Sequence, residues 1–481
     1  MSVGTPSRFQ QTLLLPPLQA VASQADANSN PAWLIGGYVR DTLLGRPCKD
    51  IDVVCLGDGI RLAEAVAAQY PGGCKVTVFK NFGTAMLHWD DWVLEFVGAR
   101  KESYRGNSRK PDVLPGTLQE DQQRRDFTIN TLSISLNKSD FGQLHDPFGG
   151  MEDLRRGMLR TPLEPNVTFS DDPLRMMRAI RFAAQLGFDI EADTYAAIQA
   201  QHERITIVSQ ERITDELNKM ILVDKPSYGL QFLFHTGLLQ MFFPEFAALA
   251  GVEIVDGKSH KDNFFHTLKV LDNLSLHTDD VWLRWSAILH DIAKPLTKKY
   301  HPEHGWTFHG HEDLGARMVP TIFRRLKLPM QDRMRYVQKL VRLHLRPIAL
   351  VKDVVTDAAL RRLLFEAGDD IHDLMKLCRA DITSKDGNRV KRYLENFDKV
   401  ERKLQEVEER DQVRNLHPVV TGEHLMHYFN IPPGRDIGLI KHYLKEAILE
   451  GKIKNNWDEA FALAKSKAKE LGYSNNDHCH T

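Results

Sequence analysis

WLIGGYVRDTLLGRPCKDID, residues 33–52, parses as strand, glycine turn, helix, glycine stop and second strand. Gly36 and Gly37 let the backbone approach a ligand just where a helix begins, and the free amides of a helix start suit a triphosphate. Arg40, one turn in, adds a charge-assisted contact, and Gly45 serves as the helix stop. The chain then returns as a strand carrying Asp50 and Asp52. Residues i and i+2 of a strand share a face, so the two carboxylates project together. Such a pair repels itself unless it binds cations. Two-metal phosphoryl chemistry needs this arrangement, one Mg²⁺ activating the attacking hydroxyl and the other steadying the leaving pyrophosphate. Glu95, in the later strand-like run WVLEFV, is a third candidate ligand.

Outward from this segment, short β-rich runs (AWLI, IDVVCL, KVTVF, GTAML, WVLEFVGA) alternate with helical stretches such as RLAEAVAAQY up to about residue 99. After residue 154 the pattern changes to long amphipathic runs, PLRMMRAIRFAAQLGF, ERITDELNKMIL and WLRWSAILHDIAK among them. The expected class is α+β, a head with a small mixed sheet followed by all-helical regions. A chain of 481 residues exceeds the range in which one core keeps growing, so several domains are expected. The boundaries read as an N-terminal extension (1–30), a head (31–160), a helical neck (161–245), a further helical region (246–398) and a helical tail (399–481). The charged run over 399–414 reads as an exposed helix or linker ahead of a last small helical unit.

Composition excludes several classes. No apolar run approaches bilayer length, and LLLPP (13–17) is too short for a secretory core, so no membrane partner, no signal peptide and a cytoplasmic location are expected. Cys48, Cys55, Cys74, Cys378 and Cys479 form no CxxC pair, which argues against a zinc ribbon or disulfide framework. Net charge is −1, so only the distribution of charge can indicate a polyanion. Lys101, Arg105, Arg109, Lys110, Arg124 and Arg125 form one basic set and Arg175, Arg178 and Arg181 another. Like charges at i, i+3 and i+6 destabilise a helix unless anions neutralise them.

These residues resemble the class II tRNA nucleotidyltransferase and bacterial poly(A) polymerase family, whose head opens with GGxVRDxLLG and DxD. RRDFTIN (124–130), DPFGG (146–150), DDPLRMMRAIRF (171–182) and ERITDEL (211–217) follow in the family's order, and the tail run TGEHLMHYFNIPPGRDIGLI is similar to the family's. The resemblance implies catalytic, metal-holding Asp50 and Asp52, base recognition by Asp172 and Arg175, and nucleotide contacts from Gly37, Arg40, Arg125, Asp126, Arg178 and Arg181. Asp171 stands where the family's motif carries Glu. Base recognition also has a chemical rationale. Asp172 and Arg175, read as i, i+3 on one helix, offer acceptors beside donors. Cytosine and adenine both present an amino group where uracil and guanine present a carbonyl, so such a pair selects C and A.

A second constellation consists of His266 in HTLKVL, His290 and Asp291 in ILHDIAKP, and Asp381 in RADITSKD. It resembles the HD metal-dependent phosphohydrolase superfamily. Adjacent His290 and Asp291 on a helix, with His266 and Asp381, form an N/O shell for a divalent ion: magnesium, manganese, nickel or another transition metal. His309, His311 and His344 are candidates for a second ion, and His478 and His480 read as a frayed tail. The expected function is Mg²⁺-dependent addition of CCA from CTP and ATP to the 3′ end of tRNA, with an HD hydrolytic side activity. A poly(A) polymerase, a CC-only or A-only enzyme, and an HD phosphohydrolase with a nucleotide-binding head remain open alternatives.

Overall fold

AWLI is buried along its whole length and DIDVVC from Val53 to Cys55, which places these two apolar runs inside the sheet of the head while Asp50 stays exposed. The computed structural model describes residues 8–80, 83–103, 112–352, 356–383, 386–414 and 416–473. Arg105, Arg109, Lys110, Cys479, His478 and His480 lie outside them. Two compact units are present, 1–244 and 245–481. The neck boundary expected at 245/246 lies one residue from this division.

In the first unit, strands β1 (Ala32–Ile35), β2 (Asp50–Cys55), β3 (Val76–Phe79), β4 (Thr84–Trp89), β5 (Trp92–Gly98), β6 (Ser133–Ser135) and β7 (Leu144–His145) form one sheet in the order β3-β4-β5-β2-β1-β6-β7. The sheet is mixed, as expected. Only β2 and β5 run parallel, and the crossover between them includes the helix Gly59–Ala67, whose first turn is capped by Asp58 through Ile60 N and Arg61 N. The described part of the expected N-terminal extension, residues 8–30, packs with the head. Its helix Pro16–Ala27 buries Leu18, Val21 and Ala25, and Asp26 accepts from the Lys138 amide at 3.4 Å. Helices follow from residue 150 onward, and the only strands among the later described residues of this unit are the two-residue pieces Met158–Leu159 and Asp189–Ile190.

The second unit is helical apart from two small hairpins. Helices Asn263–Ser275, Val281–Leu289, His311–Arg325, Asp332–Leu343 and Ile371–Asp381 surround a core containing fully buried Trp285, Phe264 and Phe323. The boundary expected at 398/399 falls inside one 25-residue helix, Gly387–Asp411. Phe397, Val400, Leu404 and Val407 give that charged stretch a buried apolar seam at helical spacing, so it is neither linker nor free-standing. Residues 422–470 form three helices with their own core around Leu425, Ile440, Leu444 and Ala464.

Candidate active site and metal centre

Antiparallel pairing sets the end of β1 beside the start of β2, with Ile35 opposite Asp52. The glycine turn after Ile35 is thereby delivered to the carboxylates. Gly36 has φ +77° and ψ −137°, a backbone state open in practice only to glycine. A Cβ there would stand 3.0 Å from Arg125 Nη1 and 3.1 Å from Asp52 Oδ2. The helix Gly37–Leu44 starts at this point and ends at Gly45 in the left-handed region. Parallel pairing of β2 with β5 puts Glu95 directly across from Asp52 and Val93 across from Asp50. Asp50 and Glu95 are exposed and Asp52 is half-buried. Burial pushes the Asp52 carboxyl up to about 6, with Arg125 opposing the rise and Glu95 and Asp50 adding to it. Hard oxygen donors on two adjacent strands, with Glu95 and Asp50 raising the cost of ionising Asp52, fit a divalent cation such as magnesium.

Behind the carboxylates lies an arginine network whose anions come from the protein itself. Asp121 is fully buried within the short helix Leu118–Gln123 and holds both guanidinium groups of the RRD motif, Arg124 through Oδ1 (2.5 Å) and Arg125 through Oδ2 (3.1 Å). Burial opposes its ionisation, yet Arg125 and Arg124 together keep its carboxyl below the ordinary range. Asp126 accepts from Arg178 Nε at 2.8 Å and from Asn130 Nδ2 at 2.9 Å, and Asn130 accepts in turn from Arg40 at 2.8 Å. Arg181 is buried and donates to Glu216 at 2.5 Å. Arg40, Arg178 and Arg181 all stack on the Phe182 ring, 4.8, 5.3 and 3.9 Å from its centroid. The anions that the i, i+3, i+6 arginines require are therefore supplied largely from within.

Of the expected nucleotide-binding residues, Arg125, Asp126, Asp172, Arg175 and Arg178 line one open cleft of about 540 Å³, together with Arg100, Arg124, Arg212 and Lys219. Arg40 and Arg181 sit instead in the buried cluster around Phe182. Asp172 and Arg175 do share the cleft, but not as neighbours on one helix. Asp172 is extended, at φ −138° and ψ 100°, because Pro173 follows it and a proline disfavours helical geometry in the preceding residue. The helix begins only at Leu174, whose amide Asp172 Oδ1 accepts at 3.2 Å, while Oδ2 meets Arg212 at 3.3 Å. Arg175 donates to the Arg124 carbonyl at 2.6 Å. Asp171 ends the preceding helix, Pro165–Asp171. DPFGG is a structural turn, with Asp146 capping Gly150 N and Met151 N.

The second unit gathers His266, His290 and Asp381 into one group of possible metal ligands and Asp291, His311 and His344 into another. Asp291 lies between them: Oδ2 is 3.2 Å from His290 Nε2 and Oδ1 is 3.2 Å from His311 Nε2. His290 is the residue just after the helix Val281–Leu289, so the HD pair stands on a helix end rather than within a helix. His309 is exposed and outside both groups. The Nδ1 atoms of His290, His311 and His344 each lie 2.7 Å from the carbonyl three residues earlier, and His266 Nδ1 lies 3.0 Å from Thr383 Oγ1. The Nε2 atoms of those first three histidines are buried without a properly angled hydrogen bond. Imidazoles tied at Nδ1 with bare Nε2 atoms converging on carboxylates are what a divalent metal requires. Burial, reinforced by His290, takes His344 down to about 4, so its imidazole is neutral at physiological pH, as a metal-ligating histidine must be. Lys294 Nζ lies 2.5 Å from Asp291 Oδ2.

Sequence reasoning missed Asp121, Asn130, Glu216, Lys294 and Thr383. Asp121 stands three and four residues before Arg124 and Arg125, a helical pairing that could have been read directly. Asn130 and Lys294 are local too, four residues from Asp126 and three from Asp291, whereas Glu216 and Thr383 meet Arg181 and His266 through tertiary contacts that no local spacing announces.

The matching family models are the Poly A polymerase head domain over residues 32–160, the probable RNA and SrmB-binding site of polymerase A over 187–249, and the HD domain over 263–386. The Multifunctional CCA protein of Nitrosococcus oceani is 36% identical over 311 residues, covering 62% of this chain and 70% of its own length. The A-adding tRNA nucleotidyltransferase of Deinococcus radiodurans is 31% identical over 450 residues, covering 91% of this chain and 96% of its own. Among solved structures, the CCA-adding enzyme of Bacillus stearothermophilus in complex with CTP has the same fold, with a TM-score of 0.64 at 22% identity over 97% of this chain and 98% of that one. A head with paired strand carboxylates, an arginine cleft, an HD centre and a near full-length relative together show that the chain is an enzyme of the tRNA nucleotidyltransferase and poly(A) polymerase family.

Proposed function

We propose that this enzyme adds C and A, drawn from CTP and ATP, to the 3′ end of tRNA by in-line attack of the terminal hydroxyl on the α-phosphate, releasing pyrophosphate. The observation that carries this reading is Arg125, which faces Asp52 across the Gly36 turn and also lines the cleft containing Asp172 and Arg175. One side chain thus joins the carboxylate edge to a pocket with an acceptor and a donor for a base. Asp50 and Asp52, with Glu95 beside them, would hold magnesium, which would supply charge neutralisation at the reacting phosphate. Arg125 and the amides at the start of the helix Gly37–Leu44 bind the triphosphate. Asp172 accepts the amino group common to cytosine and adenine, and Arg175 donates to the ring. Asp121, Asn130 and Glu216 fix the arginines beforehand, so little reorganisation accompanies binding. Arg40 and Arg181 act as positioning residues in this scheme.

A second reading is addition of A alone. Its support is the Deinococcus radiodurans relative, which matches over nearly the whole chain and is A-adding, whereas the Multifunctional CCA protein covers 62% of it. The HD centre is proposed to hydrolyse a phosphate ester, held by its two groups of N/O ligands around one divalent ion or two. Labelled tRNAs ending before the CCA, after C and after CC, each given CTP, ATP or both and resolved at single-nucleotide length, separate these readings. Two C then one A supports the proposal, and A added only to the CC end supports the second reading. Untemplated A tails mark a poly(A) polymerase. No extension of any substrate contradicts the transferase reading.

A further inference from the structure

Arg124, Arg125, Arg178 and Arg181 of the head are paired with neighbouring carboxylates; a set of arginines in the 245–481 unit is not. Helices His311–Arg325 and Asp332–Leu343 pack closely because Gly315 faces Val341: a Cβ at 315 would stand 3.2 Å from Val341 Cγ1. Gln338 clasps them further, donating to the Ala316 carbonyl at 2.8 Å. Along this seam runs an open groove of about 520 Å³ lined by Asp313, Ala316, Arg317, Arg335, Gln338, Lys339 and Arg342. Lys339 is committed to Asp370 at 2.6 Å and to the Ala367 carbonyl. Arg317, Arg335 and Arg342 are exposed and make no ion pair among the described residues. Asp313, the one carboxylate lining the groove, offers Arg317 only its backbone carbonyl, at 3.3 Å from Nε. Arg335 and Arg342 are two helical turns apart on one face, about 10 Å along the axis.

Three exposed guanidinium groups on one two-helix seam, with Asp313 the one carboxylate lining the groove beside them, present a positive surface that attracts a polyanion. None of the lining residues is aromatic, so the groove lacks the ring platforms on which single-stranded bases stack. A ligand met mainly by exposed arginines is held through its phosphates, which carry no sequence information directly. Both helices also carry ligands of the HD centre at their ends, His311 at the start of one and His344 just after the other. We propose that this groove docks the sugar-phosphate backbone of an RNA on the HD-bearing unit, through Arg317, Arg335 and Arg342. The proposal rests on the RNA substrate inferred above.

The test uses the full-length, metal-loaded protein and labelled tRNA, with affinity measured by fluorescence anisotropy across a salt series. Replacing the trio with alanine (R317A, R335A, R342A) is expected to weaken binding about 10- to 100-fold at low salt and to make the slope of log K against log salt shallower by about 2 to 3. Replacing it with lysine should keep most of both. If the triple alanine variant does not fold, as read by circular dichroism, the double variant R335A and R342A carries the same test with a slope change of about 2. Parental affinity and slope in a folded alanine variant would overturn the proposal. So would unchanged tRNA binding alongside lost capture of phosphatidylserine vesicles, which would assign the groove to a lipid surface. A parent protein without any salt-sensitive tRNA binding would instead remove the RNA reading itself, and the groove with it.

Discussion

The carboxylate edge of the head and the histidine cluster of the second unit are both candidate metal centres, yet they are built in opposite ways. In the head, Asp50 and Glu95 are exposed, Asp52 is half-buried, and the rigidity lies in the arginine network, where Asp121, Asp126 and Glu216 have already found their partners. In the HD centre the rigidity lies in the ligands. His290, His311 and His344 are buried, each is tied by Nδ1 to a backbone carbonyl, and each aims a bare Nε2 inward. An exposed carboxylate edge suits ions that arrive and leave with a nucleotide. A buried imidazole cluster suits a resident ion, because leaving its nitrogens unmatched costs free energy that the metal removes.

If that contrast holds, the largest effect belongs to the head. Asp52→Ala should lower nucleotide addition by on the order of 10³-fold in kcat while leaving the metal content of the purified protein unchanged, as measured by elemental analysis. Glu216→Ala should come next, destabilising the protein by about 3 kcal/mol in urea titration, because it leaves the Arg181 guanidinium buried and unpaired. A resident ion sharpens the comparison from the other side. Saturating the HD centre with Mn²⁺ or Ni²⁺ at about 100 times its Kd should add about 2.7 kcal/mol to the unfolding free energy, and Asp291→Ala, which removes the residue between both ligand groups, should abolish that gain. A smaller effect is expected for Gly36→Ala, a loss of about 1–3 kcal/mol in thermal unfolding from φ +77° and from contacts with Arg125 and Asp52, with weaker triphosphate binding.

The pH dependence separates the centres too. Asp52 has its carboxyl raised to about 6 in the native protein against an ordinary value of 3.8, so between those values the native state holds more protons than the unfolded one. Its contribution to stability should therefore fall as pH rises from about 4 to about 6 in metal-free protein, and added Mg²⁺ should flatten the decline. Comparing unfolding midpoints of the parent and Asp52→Asn with and without Mg²⁺ isolates this effect. A decline of the same size in Asp52→Asn would remove it.

What could be read from the sequence was local chemistry. The glycine turn, the helix stop at Gly45 and the two carboxylates on one strand face follow from spacing alone. Glu95 could be found but not its register, since its pairing with Asp52 depends on a parallel crossover. The failures have identifiable causes. Asp172 and Arg175 were read as one helix face although Pro173 stands between them and forces Asp172 to be extended. The charged run near 399 looked like a domain boundary because the four apolar residues that anchor its helix are diluted among lysines and glutamates. The arginine triad on the helix Leu174–Leu186 pointed to external anions, and two of its members turned out to be neutralised by Asp126 and Glu216, residues 52 and 35 positions away.

The central claim is that the two centres do separate chemistry. Asp52→Ala and Asp291→Ala, each incubated with tRNA lacking its terminal nucleotides, Mg²⁺, CTP and ATP, test it most directly when products are resolved at single-nucleotide length. The account predicts extension slowed by on the order of 10³-fold in Asp52→Ala and parental extension by Asp291→Ala. Extension at the parental rate by Asp52→Ala, or its loss in a folded Asp291→Ala, would contradict it.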